Sequence, residues 1–133
     1  MFKLFAMQYQ LMNDDSEEIY ETYKAEAAEI LTQLRRSFET LKKRSDSDAL
    51  NEIILCSHKL KGVAGVMDYS HIEELAKEME SVAKVLANRK VELKPETLSG
   101  LLEAFALLTK YIETDFGERD PVLLEKLRKL GTV

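Results

Sequence analysis

The sequence contains one cysteine, two prolines and five glycines in 133 residues, and it has no stretch of about 18 apolar residues. A single cysteine, Cys56, cannot form an intramolecular disulfide, and the lack of a long apolar run excludes membrane insertion. Few glycines and prolines leave little material for strands and their turns, whereas 45% hydrophobic and 32% charged residues suit a helical protein. We therefore expect one all-α domain located in the cytoplasm.

Basic character and the common nucleotide-binding loops are also missing. The net charge of −5 disfavours nucleic acid as a partner. No glycine-rich loop of the P-loop or Rossmann type is present, so the chain should not bind ATP through either. Cys56 and His58 lie two positions apart, about 200° around a helix, and cannot converge on one metal ion. We predict no metal and no bound cofactor, and we interpret Cys56 as a core residue.

Apolar residues that recur at three- and four-residue steps predict four long helices. The first covers about 17–44 and the second about 48–67, with turn and capping residues at 45–48 between them. Ser70 is expected to cap the third helix, Pro95 to begin the fourth and Gly117 to end it.

Short connections between these helices predict an antiparallel four-helix bundle. Asp120 and Pro121 then mark the start of an additional C-terminal helix, whose apolar residues are Leu123, Leu124, Leu127 and Leu130. The predicted organisation is an N-terminal tail at 1–16, the bundle at 17–117, and the C-terminal helix with the end of the domain at 118–133. The final residues 131–133 are also compatible with a cut at a linker, so the chain is either complete or the first domain of a longer protein.

Two glycines interrupt the second predicted helix, and each costs about 1 kcal/mol relative to alanine in a helix interior. Its apolar face comprises Ile53, Cys56, Ser57, Leu60, Val63, Ala64 and Met67. The opposite face carries His58, Lys61, Gly62 and Gly65, which are related by steps of three and four residues. Glycines have no side chain that would crowd the outward-facing histidine, so this pattern indicates that a large partner must reach the imidazole ring.

This face has the groups needed for phosphoryl transfer. A neutral imidazole is a good nitrogen nucleophile, and Lys61, one turn from His58, supplies positive charge for anionic oxygens. Two other interpretations remain at this point. His58 could be a surface imidazole without a function, or another helix could pack closely against Gly62 and Gly65.

A carboxylate on the third predicted helix could orient the imidazole. Glu80 has Ala76, Ala83 and Ala87 at i−4, i+3 and i+7, so it lies in a clearing of small residues at the edge of the apolar stripe. A hydrogen bond from Nδ1–H of His58 to this carboxylate would leave Nε2 as the nucleophile. The alternative is an ordinary solvated glutamate.

The run HKLKGVAG, from His58 to Gly65, resembles the H-x-[LI]-K-G-x-x-G signature of histidine-containing phosphotransfer (HPt) domains. The resemblance extends over about 20–116, with a long acidic first helix and an acid 22 positions after the histidine. It implies that His58 is phosphorylated, that Lys61 contacts phosphoryl oxygens and that Gly62, with Gly65, keeps the site open. It also implies that Glu80 is the hydrogen-bond partner of the imidazole.

Glutamate at position 80, the fifth helix and the pattern YKAEA at 23–27 look most like the N-terminal phosphotransfer domain of CheA-type chemotaxis kinases. Such domains usually have a second histidine 19 positions after the first, where this chain has Lys77, which can instead pair with Glu73 or Glu80 along its helix. His71 is assigned no role.

This resemblance implies a phosphoacceptor domain of a histidine kinase rather than a complete kinase. Its partners would be a histidine kinase ATP-binding domain, which supplies the phosphoryl group, and a response regulator receiver domain, whose aspartate accepts it. ATP and Mg²⁺ would be bound by the partner domains, and Ile54 and Leu55 would form part of an apolar docking rim. The alternatives are a phosphorelay HPt module of a hybrid kinase and a helical docking module that is not phosphorylated.

Overall fold

A computed structural model describes residues 16–89 and 92–132 of the chain. This part forms five helices, namely α1 (Ser16–Lys43), α2 (Ser47–Val66), α3 (Ser70–Arg89), α4 (Pro95–Thr114) and α5 (Pro121–Leu130), and contains no strand. The all-α prediction is confirmed. The predicted tail lies outside the described residues except for Ser16, which is the first residue of α1.

The first four helices pack in a closed ring, and α5 is added to one side of it. Helix α1 packs on α2, α2 on α3, α3 on α4, and α4 returns to α1, while α5 contacts α3 and α4. The connections at 44–46 and 67–69 have three residues each, which makes the helices that they join antiparallel. All helices contribute to one core, whose largest fully buried side chains include Tyr23, Phe38, Leu34, Ile53, Leu60, Leu75, Met79, Leu101, Leu108 and Leu127.

Side-chain caps and prolines fix most of the helix starts. The Asp46 side chain accepts a hydrogen bond from the backbone N–H of Ala49 at 2.9 Å, and Asp120 accepts one from that of Leu123 at 3.0 Å. Pro95 and Pro121 occupy first-turn positions, where a missing N–H costs nothing. The expected cap at Ser70 is wrong, because Ser70 is already helical and the Tyr69 carbonyl accepts the first backbone bonds of α3.

The end of α4 also differs from the prediction at Gly117. The helix ends at Thr114, and Asp115 adopts the left-handed conformation with φ 57°. Gly117 has no positive φ, but a Cβ there would overlap the ring of Tyr111. Tyr111 in turn donates a hydrogen bond from its hydroxyl to the Glu118 carbonyl at 2.5 Å. Gly117 is therefore needed for close packing of the α4–α5 connection against an aromatic ring.

The described part of the chain contains neither a membrane-spanning helix nor a metal-binding cluster. None of the helices between Ser16 and Leu130 has the length and apolar character needed to cross a bilayer. Residues 16–89 and 92–132 also contain no group of three or more histidine, cysteine, aspartate or glutamate side chains arranged to hold a metal ion.

Candidate functional site

The His58 side chain lies on the outer face of α2 and is 63% exposed. It points outward because its neighbours Ser57 and Leu60, both fully buried, turn the opposite side of the helix toward the core. Helix α2 packs along α3, so the edge of this outer face lies beside the third helix. The imidazole is therefore open to large partners and still within reach of side chains on α3.

Glu80 on α3 meets the imidazole at this edge. Nδ1 of His58 is 3.2 Å from Oε2 of Glu80, although the two residues are 22 positions apart in sequence. Glu80 itself is only 4% exposed, which excludes the solvated glutamate that the sequence left open. An ionised carboxylate can only accept hydrogen bonds, so the contact puts the ring proton on Nδ1 and leaves the Nε2 lone pair free.

Two lysines share the Glu80 carboxylate with His58. Nζ of Lys61 lies 3.2 Å from Oε1, and Nζ of Lys84 lies 3.1 Å from Oε2. Burial raises the pKa of Glu80, but the hydrogen bonds and charges of Lys84 and Lys61 outweigh burial and lower it overall. Glu80 is thus held as an anion in a place where a carboxylate alone would favour its protonated form.

The two glycines of α2 have different surroundings. A Cβ at Gly62 would meet nothing within 4 Å, so the space beside His58 is open there. A Cβ at Gly65 would come within 2.7 Å of Oε2 of Glu73 on α3. The exposed Glu73 side chain on α3 thus lies in the space predicted to be open beside Gly65, whereas the space beside Gly62 is open as an access role requires. The access role of Gly65 stays a prediction.

Of the other residues that the sequence singled out, Ile54 and Leu55 lie near this face, whereas Cys56 and His71 do not. Leu55 is 47% exposed and Ile54 is half-buried, one turn before His58. Cys56 is fully buried, as predicted, and its burial raises the pKa of the thiol to about 12. His71 lies away from the site, against the ring of Tyr111 at a centroid distance of 4.7 Å.

Sequence reasoning missed Lys84. The sequence indicates Lys77 as a helical partner of Glu73 or Glu80, but the ion pair of Glu80 along α3 is formed by Lys84, four residues after it. The spacing i, i+4 with the acid first is the preferred order for such pairs, so the signal was present in the sequence. The site that the structure brings together is His58, Lys61, Glu80 and Lys84, with open space at Gly62.

Comparison with known proteins gives consistent results. The model of the family described as Hpt domain matches residues 18–114. The chemotaxis protein CheA of Salmonella typhimurium is 23% identical over 111 residues, which is 83% of this chain but only 16% of that protein. The phosphorylated P1 domain of CheA3 in complex with CheY6 from R. sphaeroides has a TM-score of 0.72 and 21% identity, over 86% of this chain and 95% of that one. This last similarity shows a shared fold.

Proposed function

The chain belongs to the Hpt domain family, and on that premise we propose that it carries a phosphoryl group on Nε2 of His58. The group would come from the ATP-bound domain of a histidine kinase and pass to an aspartate of a response regulator in chemotaxis-like signalling. The observation that carries this proposal is the exposed imidazole of His58, whose Nδ1 contacts the buried, ionised carboxylate of Glu80 at 3.2 Å. This arrangement orients the ring through Nδ1 and leaves Nε2 without a contact to Glu80.

In the first step the Nε2 lone pair attacks the γ-phosphorus of ATP. A nitrogen–phosphorus bond forms while the bond from that phosphorus to the bridging oxygen breaks, and ADP leaves with the electron pair. The ring keeps its Nδ1 proton and becomes cationic, so the carboxylate of Glu80 stabilises charge that develops during the transfer. Lys61, on the same face as His58, provides positive charge for the phosphoryl oxygens.

In the second step a carboxylate oxygen of the receiver aspartate attacks the same phosphorus. The nitrogen–phosphorus bond breaks and its electron pair returns to Nε2, which restores the neutral imidazole with its proton on Nδ1. No proton has to enter or leave the ring in either step. An exposed histidine with a fixed tautomer therefore suits a carrier that meets two large partners in turn.

Two relatives support this choice of partners. The R. sphaeroides structure is of a phosphorylated P1 domain of CheA3 in complex with CheY6, and the curated relative is a chemotaxis protein CheA. We extend both partner types to this chain, a kinase domain as the donor and a receiver domain as the acceptor. ATP and Mg²⁺ belong on those partner domains in this proposal.

The test is to incubate the chain with phosphoramidate, a small donor with a phosphorus–nitrogen bond, and to repeat the incubation with His58→Gln. We expect phosphate that is acid-labile and base-stable on the wild type and none on the variant. A receiver domain added afterwards should remove the phosphate from the wild type. A wild type that stays unmodified both with phosphoramidate and with an active kinase and ATP would instead favour a docking module.

A further inference from the structure

Three hydrogen-bond donors converge on the two oxygens of Glu80. Among the described residues, Oε1 is in contact with Nζ of Lys61, whereas Oε2 is shared by Nδ1 of His58 and Nζ of Lys84. The side chain of Glu80 is only 6% exposed, while those of Lys61 and Lys84 are 32% and 53% exposed. A nearly buried carboxylate thus has two ammonium partners that water can still reach.

The two lysines differ in what else they must do. Lys61 is on α2 with His58, and the proposed transfer draws its ammonium toward the incoming phosphoryl oxygens. Its ammonium has three N–H donors and can therefore contact a phosphoryl oxygen as well as Oε1, but an incoming dianion draws part of its charge away from the carboxylate. Glu80 would then share one of its two ammonium partners with the phosphoryl group at the moment when its own charge is needed.

Lys84, unlike Lys61, shares a helix with Glu80 rather than with His58. It follows Glu80 by four residues, so its contact with Oε2 does not depend on how α2 and α3 approach each other. It also contacts the oxygen that accepts from Nδ1 of His58, and therefore helps to fix the oxygen that orients the ring. One carboxylate and two ammonium groups leave a net charge of +1, which suits an anionic phosphoryl group.

We propose that Lys84 is a positioning residue of the phosphotransfer site, which holds Glu80 ionised and in place so that Lys61 is free to contact the phosphoryl group. The proposal rests on the proposed function, and it adds a residue that the HPt signature at 58–65 does not contain. Lys84 acts through Glu80 and does not itself touch the reacting atoms.

The experiment compares Lys84→Gln with Lys84→Arg and with Lys77→Gln. Lys77 is an exposed lysine of the same helix, so its substitution removes the same charge from α3 without touching Glu80. Nitrogen-15 NMR of the His58 ring measures the fraction of the Nδ1–H tautomer in the unmodified protein. Phosphorylation by phosphoramidate gives the rate, and thermal unfolding reports whether the bundle remains intact.

We expect Lys84→Gln to lower the Nδ1–H fraction and to slow phosphorylation roughly twofold to fivefold, the range for one partly exposed ion pair. Lys84→Arg should restore most of both, and Lys77→Gln should behave as the wild type. In a Lys61→Gln background the effect of Lys84→Gln should grow, because Glu80 then has no ammonium partner.

An unchanged tautomer fraction and rate in Lys84→Gln would overturn the assignment, and so would an equal loss in Lys77→Gln. Failure of the proposed function looks different, because the wild type would then take up no phosphate at all. In that case the tautomer measurement alone decides whether Lys84 positions the ring through Glu80.

Discussion

Substitutions at Gly62 should change the stability of the bundle and the access of partners to His58 in opposite directions. The residue is exposed within α2, and a Cβ at this position would meet nothing within 4 Å. Replacing a helical glycine by alanine or leucine should therefore raise the free energy of unfolding by about 0.5–1 kcal/mol. For a domain of this size that corresponds to an increase of about 2–5 °C in the melting temperature.

The same substitutions should impede a protein partner. A leucine at position 62 stands one turn beyond His58, in the space that a receiver domain must enter to reach Nε2. Steric overlap at a packed contact typically costs about 1–3 kcal/mol, so transfer to a receiver domain should slow on the order of tenfold in Gly62→Leu, and less in Gly62→Ala. Phosphoramidate is small and should load both variants at nearly the wild-type rate.

One assay measures both effects. The variants are loaded with phosphoramidate, freed of the donor and mixed with a receiver domain that the wild type phosphorylates. Gly65→Ala is the matched control, since its Cβ would displace the Glu73 carboxylate and should give less stabilisation. A Gly62→Leu protein that transfers at the wild-type rate, or that loads as slowly as it transfers, would refute the access role.

Three further predictions concern Glu80, His71 and Tyr23. Glu80→Gln keeps an acceptor for Nδ1 of His58 but loses the negative charge. A charged hydrogen bond exceeds a neutral one by about 1–1.4 kcal/mol, so phosphorylation by phosphoramidate should slow about fivefold to tenfold. The melting temperature should change little. Burial lowers the pKa of His71 from its ordinary value of 6.5, so the unfolded chain binds a proton at a higher pH than the folded one. The contribution of His71 to the free energy of unfolding should be fully present above pH 6.5 and should be lost as the pH drops toward the pKa of the folded state. Denaturant titrations of His71→Phe should show a free energy of unfolding that depends less on pH. The buried hydroxyl of Tyr23 has no hydrogen-bond partner among the described residues, so Tyr23→Phe should leave the free energy of unfolding unchanged or raise it, and a loss above about 1 kcal/mol would contradict this.

The helices could be predicted closely because their signals are local. The predicted start of the second helix near Asp48 differs by one residue from the observed start at Ser47, since Asp46 supplies the cap. Pro95 and Pro121 begin the helices that they were expected to begin. Ser70 and Gly117 have residue types that suit a cap and a helix end. Ser70 is instead the first residue of α3, after Tyr69, and Gly117 packs against the ring of Tyr111 beyond the end of α4.

The candidate site was partly predictable for a similar reason. The outward face with His58, Lys61 and Gly62 follows from helical periodicity alone, and the alanines around Glu80, together with the resemblance to HPt domains, indicated Glu80 as the partner of the imidazole. The burial of Glu80 and the space at Gly65 depend on how closely α2 and α3 approach, which no local pattern encodes. Lys84 could have been found from its spacing to Glu80, but only after Glu80 was known to be buried and in need of a counter-ion.

The central claim is that Glu80 fixes the Nδ1 proton of His58, so that the phosphoryl group is carried on Nε2. Long-range proton–nitrogen NMR of the phosphorylated protein identifies which ring nitrogen is bonded to phosphorus. We expect phosphorus on Nε2 of His58, with a proton on Nδ1. Phosphorus on Nδ1, or a phosphoprotein signal that persists in His58→Gln, would contradict it.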